Sequence, residues 1–402
     1  MQDKELFFQL IGLEKPWEIN DISVDYQLLE VHITVSFPKR EKASCPLCGI
    51  DASQYDHCPP RTWRHLDTMQ FKTFIHSSVP RIDCPTHGVQ IITVPWSEKH
   101  SRFTTLFERL VIDFLRSSQN QTSAQKLLKL SWEEVHHIQE KAVERGLHSR
   151  QDLPLPHLGV DEKNFKKNHS FVTLTYDLDR SRVLDVAPDR KEASLSSLFD
   201  TMTSSQKESI QAVAVDIWDP FLSAIKKCLP KARIVHDKFH IVRHLLQGVD
   251  NVRKQGAKTH HGLLKGTKYL WLKNPQNWTP WQIDQYDALK TRELTTGKAW
   301  AYKELFQEFF SCDHEEAGRN FFKKWYEDVI QSGLKPLIAV AKMLQKHLSH
   351  IVSFLTHRIT NAVAEGINSK IQQIKSAARG FRNFHNYRIA ILFHCGGLNL
   401  YP

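Results

Sequence analysis

"QAVAVDIWDPFLSAIKKCLPKARIVHDKFHIVRHL", residues 211–245, decides how the chain is to be read. The apolar run in "QAVAVD" fits a buried strand, and it ends on Asp216. "PFLSAIKKCL" follows as a helix with Pro220 near its first turn, where a missing N–H is tolerated. "ARIVHD" is a second short strand ending on Asp237, and the helix from Lys238 completes a strand-helix-strand-helix unit. A carboxylate between strand and helix suits an N-cap, because it takes up free N–H groups and complements the helix dipole. On that reading His240 is an ordinary first-turn residue. The alternative makes Asp237-x-x-His240 the flank of a site built on the acid of the other strand end, Asp216.

Upstream, "HLGVDE", "SFVTLTYDL" and "SRVLDVAPD" are β-like runs separated by turn residues, which predicts consecutive antiparallel hairpins. A helix, "EASLSSLFDTM", follows. Three meander strands and then strand-helix-strand make a mixed five-stranded sheet with helices on its faces. Asp161 is expected to end the first strand, so two acids fall at strand ends, where the ligand sites of open sheets collect. A third acid appears in "RITNAVAEGINSKIQQIKSAARGFR". Steps of three and four give Arg358, Asn361, Glu365, Asn368, Gln372, Lys375 and Arg379 as one polar face, with Val363, Ile367, Ile371 and Ile374 opposite. Glu365 is the only acid on that face, whereas a merely solvated face mixes Glu and Lys. Three carboxylates can hold hard cations, and two Mg²⁺ about 3.5–4 Å apart serve phosphoryl transfer.

Gross composition agrees with a polyanionic partner. The 402 residues carry 54 Lys+Arg against 44 Asp+Glu, a formal charge of +10, which favours nucleic acid before membrane. No window approaches the ~18 consecutive apolar residues of a membrane span, and "MQDKELFFQL" lacks a signal peptide's basic start. Seven unevenly spread cysteines argue against a disulfide scaffold and for a reducing, cytoplasmic setting.

Residues 20–37 alternate as a strand does, and two Pro/Gly-framed knuckles follow: Cys45-x-x-Cys48 in "ASCPLCGID" and Cys84-x-x-His87 in "RIDCPTHGV". Each pair puts two ligands on a tight turn, and together they close a zinc tetrahedron. The alternative is a redox pair or buried thiols, and Cys58 beside His57 could substitute as a ligand. "FTTLFERLVIDFLR" and "SAQKLLKLSWEEVHHIQEKAVERGL" then read as helices. Ala124, Leu127 and Leu128 face Trp132, Val135, Ile138 and Ala142, with Ser131 and Glu134 at capping-box spacing. This outlines a helix-turn-helix, whose second helix enters a major groove with His136, His137 and Gln139 at hand to read bases. "HSRQDLPLPHLG" reads as a linker. Residues 246–352 read as helices, with seven Lys/Arg and one acid between Arg243 and Lys273 and with Tyr269, Trp271 and Trp278 interleaved.

The chain resembles the ISL3 family of bacterial insertion-sequence transposases. The resemblance is carried by "GVDEKNFKKNHSFVTLTYDLDRSRVLDVAPDRK", "AVDIWDPFLSAIKKCLPKARIVHDKFHIVRHL" and "TNAVAEGINSKIQQIKSAARGFRNFHNYRIA". It covers nearly the whole chain, including the zinc module, where the family usually shows four cysteines and His87 here takes the last place. It implies an RNase H-like DDE catalytic domain with Asp161, Asp216 and Glu365 as the catalytic, Mg²⁺- or Mn²⁺-holding acids, flanked by Asp237 and His240. The separation of 149 from Asp216 to Glu365 leaves room for a helical insertion. The implied order is a zinc module (1–100), a helix-turn-helix region (101–150), the catalytic domain's first part (155–245), an all-helical insertion (246–352) and the Glu-bearing part (353–402). The implied activity binds terminal inverted repeats, cleaves the ends and joins the 3′-hydroxyl to target DNA. Lys370, Lys375, Arg379 and Arg382 are expected on phosphates, and pairing two ends implies at least a dimer. A non-catalytic DNA-binding regulator and a structure-selective nuclease are the competing classes. Acids intact at all three places count against the first, and the insertion with two N-terminal modules fits end recognition better than general cleavage.

Overall fold

The computed structural model describes residues 3–118, 120–166, 170–259, 261–290, 294–360 and 362–402. They form two compact units, Met1–Arg150 with Leu398–Pro402, and Gln151–Gly397.

The first unit opens with helix α1 (Asp3–Ile11) and a hairpin of β1 (Glu18–Asp25) and β2 (Glu30–Ser36). The stretch 20–37 is therefore two strands, because Leu29 takes a left-handed φ of 54° and reverses the chain. Along β2 the alternation holds, with Val31, Ile33 and Val35 buried. Seven more strands follow: β3 (Ala43–Ser44), β4 (Asp51–Ala52), β5 (Gln54–His57), β6 (Arg61–Thr68), β7 (Phe71–Ser77), β8 (Pro80–Cys84) and β9 (Gly88–Ile91). They make a sheet of order β1-β2-β7-β6, a small sheet β5-β8-β9 and the pair β3-β4. Trp96 packs edge-on against Trp17 and Trp63, at 4.8 and 5.5 Å between ring centroids, in the core of this part.

Three helices complete the unit: α2 (Thr105–Ser118), α3 (Gln121–Leu128) and α4 (Trp132–His148). The capping box forms as the spacing predicts, with Ser131 and Glu134 each accepting from the other's backbone N–H. Ala124, Val135, Ile138 and Ala142 are buried, but Leu127 and Trp132 are 65% and 38% exposed. Leu127 lies about 100° round α3 from Leu128, so the short helix cannot turn both inward. Trp132 instead stacks on His136 at 4.9 Å.

In the second unit, β10 (His157–Lys166), β11 (Ser170–Asp177) and β12 (Arg182–Pro188) form the expected antiparallel meander. Helices α5 (Glu192–Asp200) and α6 (Ser204–Ser209) lead to β13 (Ala212–Val215), α7 (Asp219–Cys228), β14 (Arg233–His236) and α8 (Lys238–Thr259). The sheet order is β12-β11-β10-β13-β14, with β13 and β14 parallel to β10. Side chains of the short strands alternate between two cores. Val213, Val215 and Ile234 pack with Leu195, Phe199, Phe221 and Ile225 of α5 and α7. Ala212 and Val235 pack with Ile241 and Leu245 of α8.

Helix α8 runs for 22 residues without a break at position 245, so one helix links the sheet to the helical stretch beyond it. That stretch holds α9 (His261–Leu264), α10 (Lys268–Leu272), α11 (Pro280–Lys290), α12 (Thr295–Phe306), α13 (Glu315–Gln331), α14 (Lys335–Lys346) and α15 (Leu348–His357). Trp271, Phe306, Phe309, Phe322 and Trp325 are buried in its core, whereas Tyr269 is exposed. Helices α16 (Ala362–Ala377) and α17 (Phe384–Cys395) end the unit. Among the described residues, no helix is long and apolar enough to cross a membrane.

Candidate active site and metal centre

Asp161 lies inside β10, not at its end. Pairing with parallel β13 stops at Gly159, but the antiparallel ladder with β11 continues, opposing Asp161 to Leu174. Asp216 directly follows β13, as expected. Glu365 stands exposed in the first turn of α16. These three acids line one cleft of about 750 Å³ together with Glu162, His240, Arg243 and Asn368. Their oxygens are not among the described groups of possible ligand atoms gathered within 4.8 Å.

Two of the acids are held by side chains from distant elements. Asn368 donates its amide to Asp161 Oδ2 at 2.6 Å and accepts from the Tyr176 hydroxyl at 2.8 Å. Asp161 Oδ1 also accepts from the Glu162 backbone N–H at 2.7 Å. Asp216 Oδ2 lies 3.1 Å from His240 Nδ1, and its Oδ1 accepts from the Ile217 N–H at 2.5 Å. Burial works against the charged form of both members of the Asp216–His240 pair. Their mutual hydrogen bond and attraction outweigh it, lowering the carboxyl's pKa and raising the imidazole's. Glu162 is shifted up, chiefly by burial, with Asp161 and Asp216 adding repulsion against its 3.2 Å pair with Arg190. Asp237 is 2% exposed, and its carbonyl accepts from the Ile241 N–H, the first turn of α8. With Glu365 it lines a second, smaller hollow of about 350 Å³.

The polar face expected around Glu365 is rearranged. Ala364, Asn368, Ile371 and Ile374 form the buried face of α16, so Asn368 points inward with the apolar residues. Val363 and Ile367 are only half-buried. Arg358 caps the preceding α15, Arg379 lies past the end of α16, and Asn361 falls outside the described residues. Lys370 and Lys375 donate to the carbonyls of His394 and Asn164, each at 2.8 Å, while Arg379 and Arg382 are exposed.

In the first unit, Cys45, Cys48, Cys84 and His87 converge, all four ligand atoms lying within 4.8 Å of one another. Cys45 Sγ and Cys84 Sγ each lie 3.8 Å from His87 Nδ1, and Cys48 Sγ is 3.7 Å from Cys84 Sγ. Zn–S and Zn–N bonds of ordinary length give tetrahedron edges of about 3.6–3.8 Å, so the donor set fits zinc. The separations are far too long for disulfides. Gly49 and Gly88 take φ of 75° and 65°, the left-handed positions that let each knuckle turn back beneath its ligands. Cys58 is not part of the cluster. On α4, His137 is exposed, but Gln139 is 2% exposed and accepts from Gln121. A side chain so placed holds α3 to α4 and is not presented to a base edge, contrary to expectation.

A family model described as "Transposase", that of the ISL3 DDE transposases, matches residues 158–391. The chain belongs to the ISL3 transposase family. Residues 41–87 match the "zinc-finger of transposase IS204/IS1001/IS1096/IS1165", and residues 92–143 match the "Helix-turn-helix domain of transposase family ISL3". The transposase for insertion sequence element IS1557 of Mycobacterium tuberculosis (strain ATCC 25618 / H37Rv) is 25% identical over 422 aligned positions, covering 95% of this chain and 93% of the relative. That for IS1001 of Bordetella parapertussis is 24% identical over 354, covering 86% and 87%. This transposase is thus an enzyme acting on DNA, with a zinc ribbon and a helix-turn-helix. Spacing sets Asn368 on the face of Glu365 but does not foretell its bond to Asp161, and Glu162 is not singled out by its pattern. The available signals were an amide three residues after the lone helix acid and a second acid beside Asp161.

Proposed function

We propose that this transposase binds the terminal inverted repeats of its element, cleaves the DNA there and joins the exposed 3′-hydroxyl to target DNA. The observation that carries the reading is the shared cleft, to which Asp161, Asp216 and Glu365 come from three separate elements. The meander followed by two parallel strands supports an RNase H-like catalytic domain, interrupted by the helical stretch 246–352 and completed by the Glu-bearing helix.

Asp161, Asp216 and Glu365 would hold Mg²⁺ or Mn²⁺, since carboxylate oxygens suit hard cations. When bound, such ions activate the attacking oxygen and stabilise the leaving one. Asn368 fixes the carboxylate plane of Asp161, and His240 does the same for Asp216. Arg243, exposed on the cleft wall, supplies positive charge to a phosphate entering between the acids. The zinc ribbon and α4 would bind the element's ends, and two ends held together require at least two chains.

The test is incubation with the element's own terminal repeat and Mg²⁺ or Mn²⁺. Asp161→Ala, Asp216→Ala and Glu365→Ala should each abolish strand cleavage and leave end binding intact, since each removes a ligand oxygen and no phosphate-binding cation. A variant that cuts at the wild-type rate removes its residue from the site.

A further inference from the structure

Behind the strand end that leads to Asp237 lies a second cluster of ligand atoms, separate from the acids. His236, the last residue of β14, meets His347 and His350 from the junction of α14 and α15, one nitrogen of each lying within 4.8 Å of the others. His236 is fully buried and His347 is 7% exposed. His236 Nδ1 lies 3.1 Å from the carbonyl of Val215. A carbonyl only accepts, so Nδ1 carries the proton and Nε2 carries the lone pair. That Nε2 is buried with no hydrogen-bond partner, and so is His350 Nδ1. A buried nitrogen left without a partner is costly unless something binds it.

We propose that His236, His347 and His350 form a tri-histidine site for a transition-metal ion, Zn²⁺ by preference, additional to the ribbon zinc. Imidazole nitrogens suit zinc, and three protein ligands with one remaining position is a known zinc arrangement. The bond from His236 Nδ1 to a backbone carbonyl is the contact by which metal-bound histidines fix their tautomer. Bond lengths of about 2.0–2.1 Å put bound imidazole centroids about 5 Å apart. His236 stands 5.4 Å from His347 and 5.3 Å from His350, with the rings at 80° and 74°. His347 and His350, at 6.4 Å, close by about 1 Å on binding. Burial, aided by the charge of Lys226, pushes His350 down to about 4 and His347 below its ordinary value. Burial likewise pushes His236 down to about 4. The negative charge of Asp219 opposes this shift at His347. A metal here ties the start of α15 to the residue preceding Asp237.

The test is zinc content of the full chain purified without chelator. The wild type should carry about two zinc ions per chain, and His347→Ala and His350→Ala about one each. Replacing zinc by Co²⁺ gives a readout that needs no variant to fold. The wild type should bind about two Co²⁺ per chain, one set of visible bands arising without thiolate charge transfer. About one metal ion per chain in the wild type would overturn the site. So would a content of two that both histidine variants retain.

Discussion

Asn368 is 4% exposed, bonded on one side to Asp161 and on the other to the Tyr176 hydroxyl. Sequence reading set it on an outward polar face because its spacing matched Glu365 and Gln372, and spacing cannot tell a solvated amide from one turned inward to meet buried groups. Asn368→Ala strands the Tyr176 hydroxyl and frees Asp161 to rotate. We expect a stability loss of about 1–3 kcal/mol in denaturant titration, and a cleavage loss of about ten- to a hundredfold at saturating end DNA. Unchanged cleavage with the same stability loss would make the amide purely structural. Asp237 and His240 were visible in the sequence as a pair, with capping and active-site readings both open. Asn caps helices about as well as Asp, so Asp237→Asn separates the two. Because His240 bonds Asp216, both Asp237→Asn and His240→Ala should fold normally, bind ends and lose at least about tenfold in cleavage. If both cut like the wild type, Asp237 is a cap and His240 a packing residue.

At the scale of elements, long periodic segments were readable and edges were not. The five strands of the second unit were found in order, because buried strands are apolar runs bounded by turn residues. The extent of β10 was missed, since only the ladder with β11, a tertiary fact, carries it past Asp161. The hairpin in 18–36 was read as one strand because alternation runs through it and the turn rests on Leu29, a residue that rarely takes positive φ. Zinc knuckles were readable because ligand spacing and turn glycines are local. Chelation should therefore unfold the ribbon, since structural zinc supplies folding free energy outright. Circular dichroism should register the loss and end binding should fall. End binding that survives full zinc removal would detach the ribbon from recognition. Helix α4 makes a different prediction. His137 is exposed where Gln139 is not, so His137→Ala should change which repeat sequence is preferred, and Gln139→Ala should cost stability instead. Equal weakening on all DNA by His137→Ala would take α4 out of the reading groove.

Over the whole molecule, a charge of +10 implies phosphate contacts without saying which cations make them. The cationic run from Arg243 to Lys273 looked uniform in sequence, but the fold divides it. Arg253 and Lys254 both pair with Asp250 at 2.8 Å, so much of their charge is neutralised within α8. Arg243 instead faces the cleft of the acids. Each phosphate contact contributes about 0.9 to the slope of log affinity against log salt on duplex DNA. Arg243→Ala should therefore flatten that slope by about one unit on any sequence that enters the cleft. Arg253→Ala should change it much less, because it removes one partner of an acid that Lys254 still holds. Binding to end DNA measured across a range of salt concentrations distinguishes the two. Equal slopes for both variants would mean that the Asp250 pairs open on DNA and that the whole run acts as one phosphate track. A flattened slope for Arg243→Ala alone would put the DNA backbone at the mouth of the cleft, where the chemistry proposed for Asp161, Asp216 and Glu365 requires it.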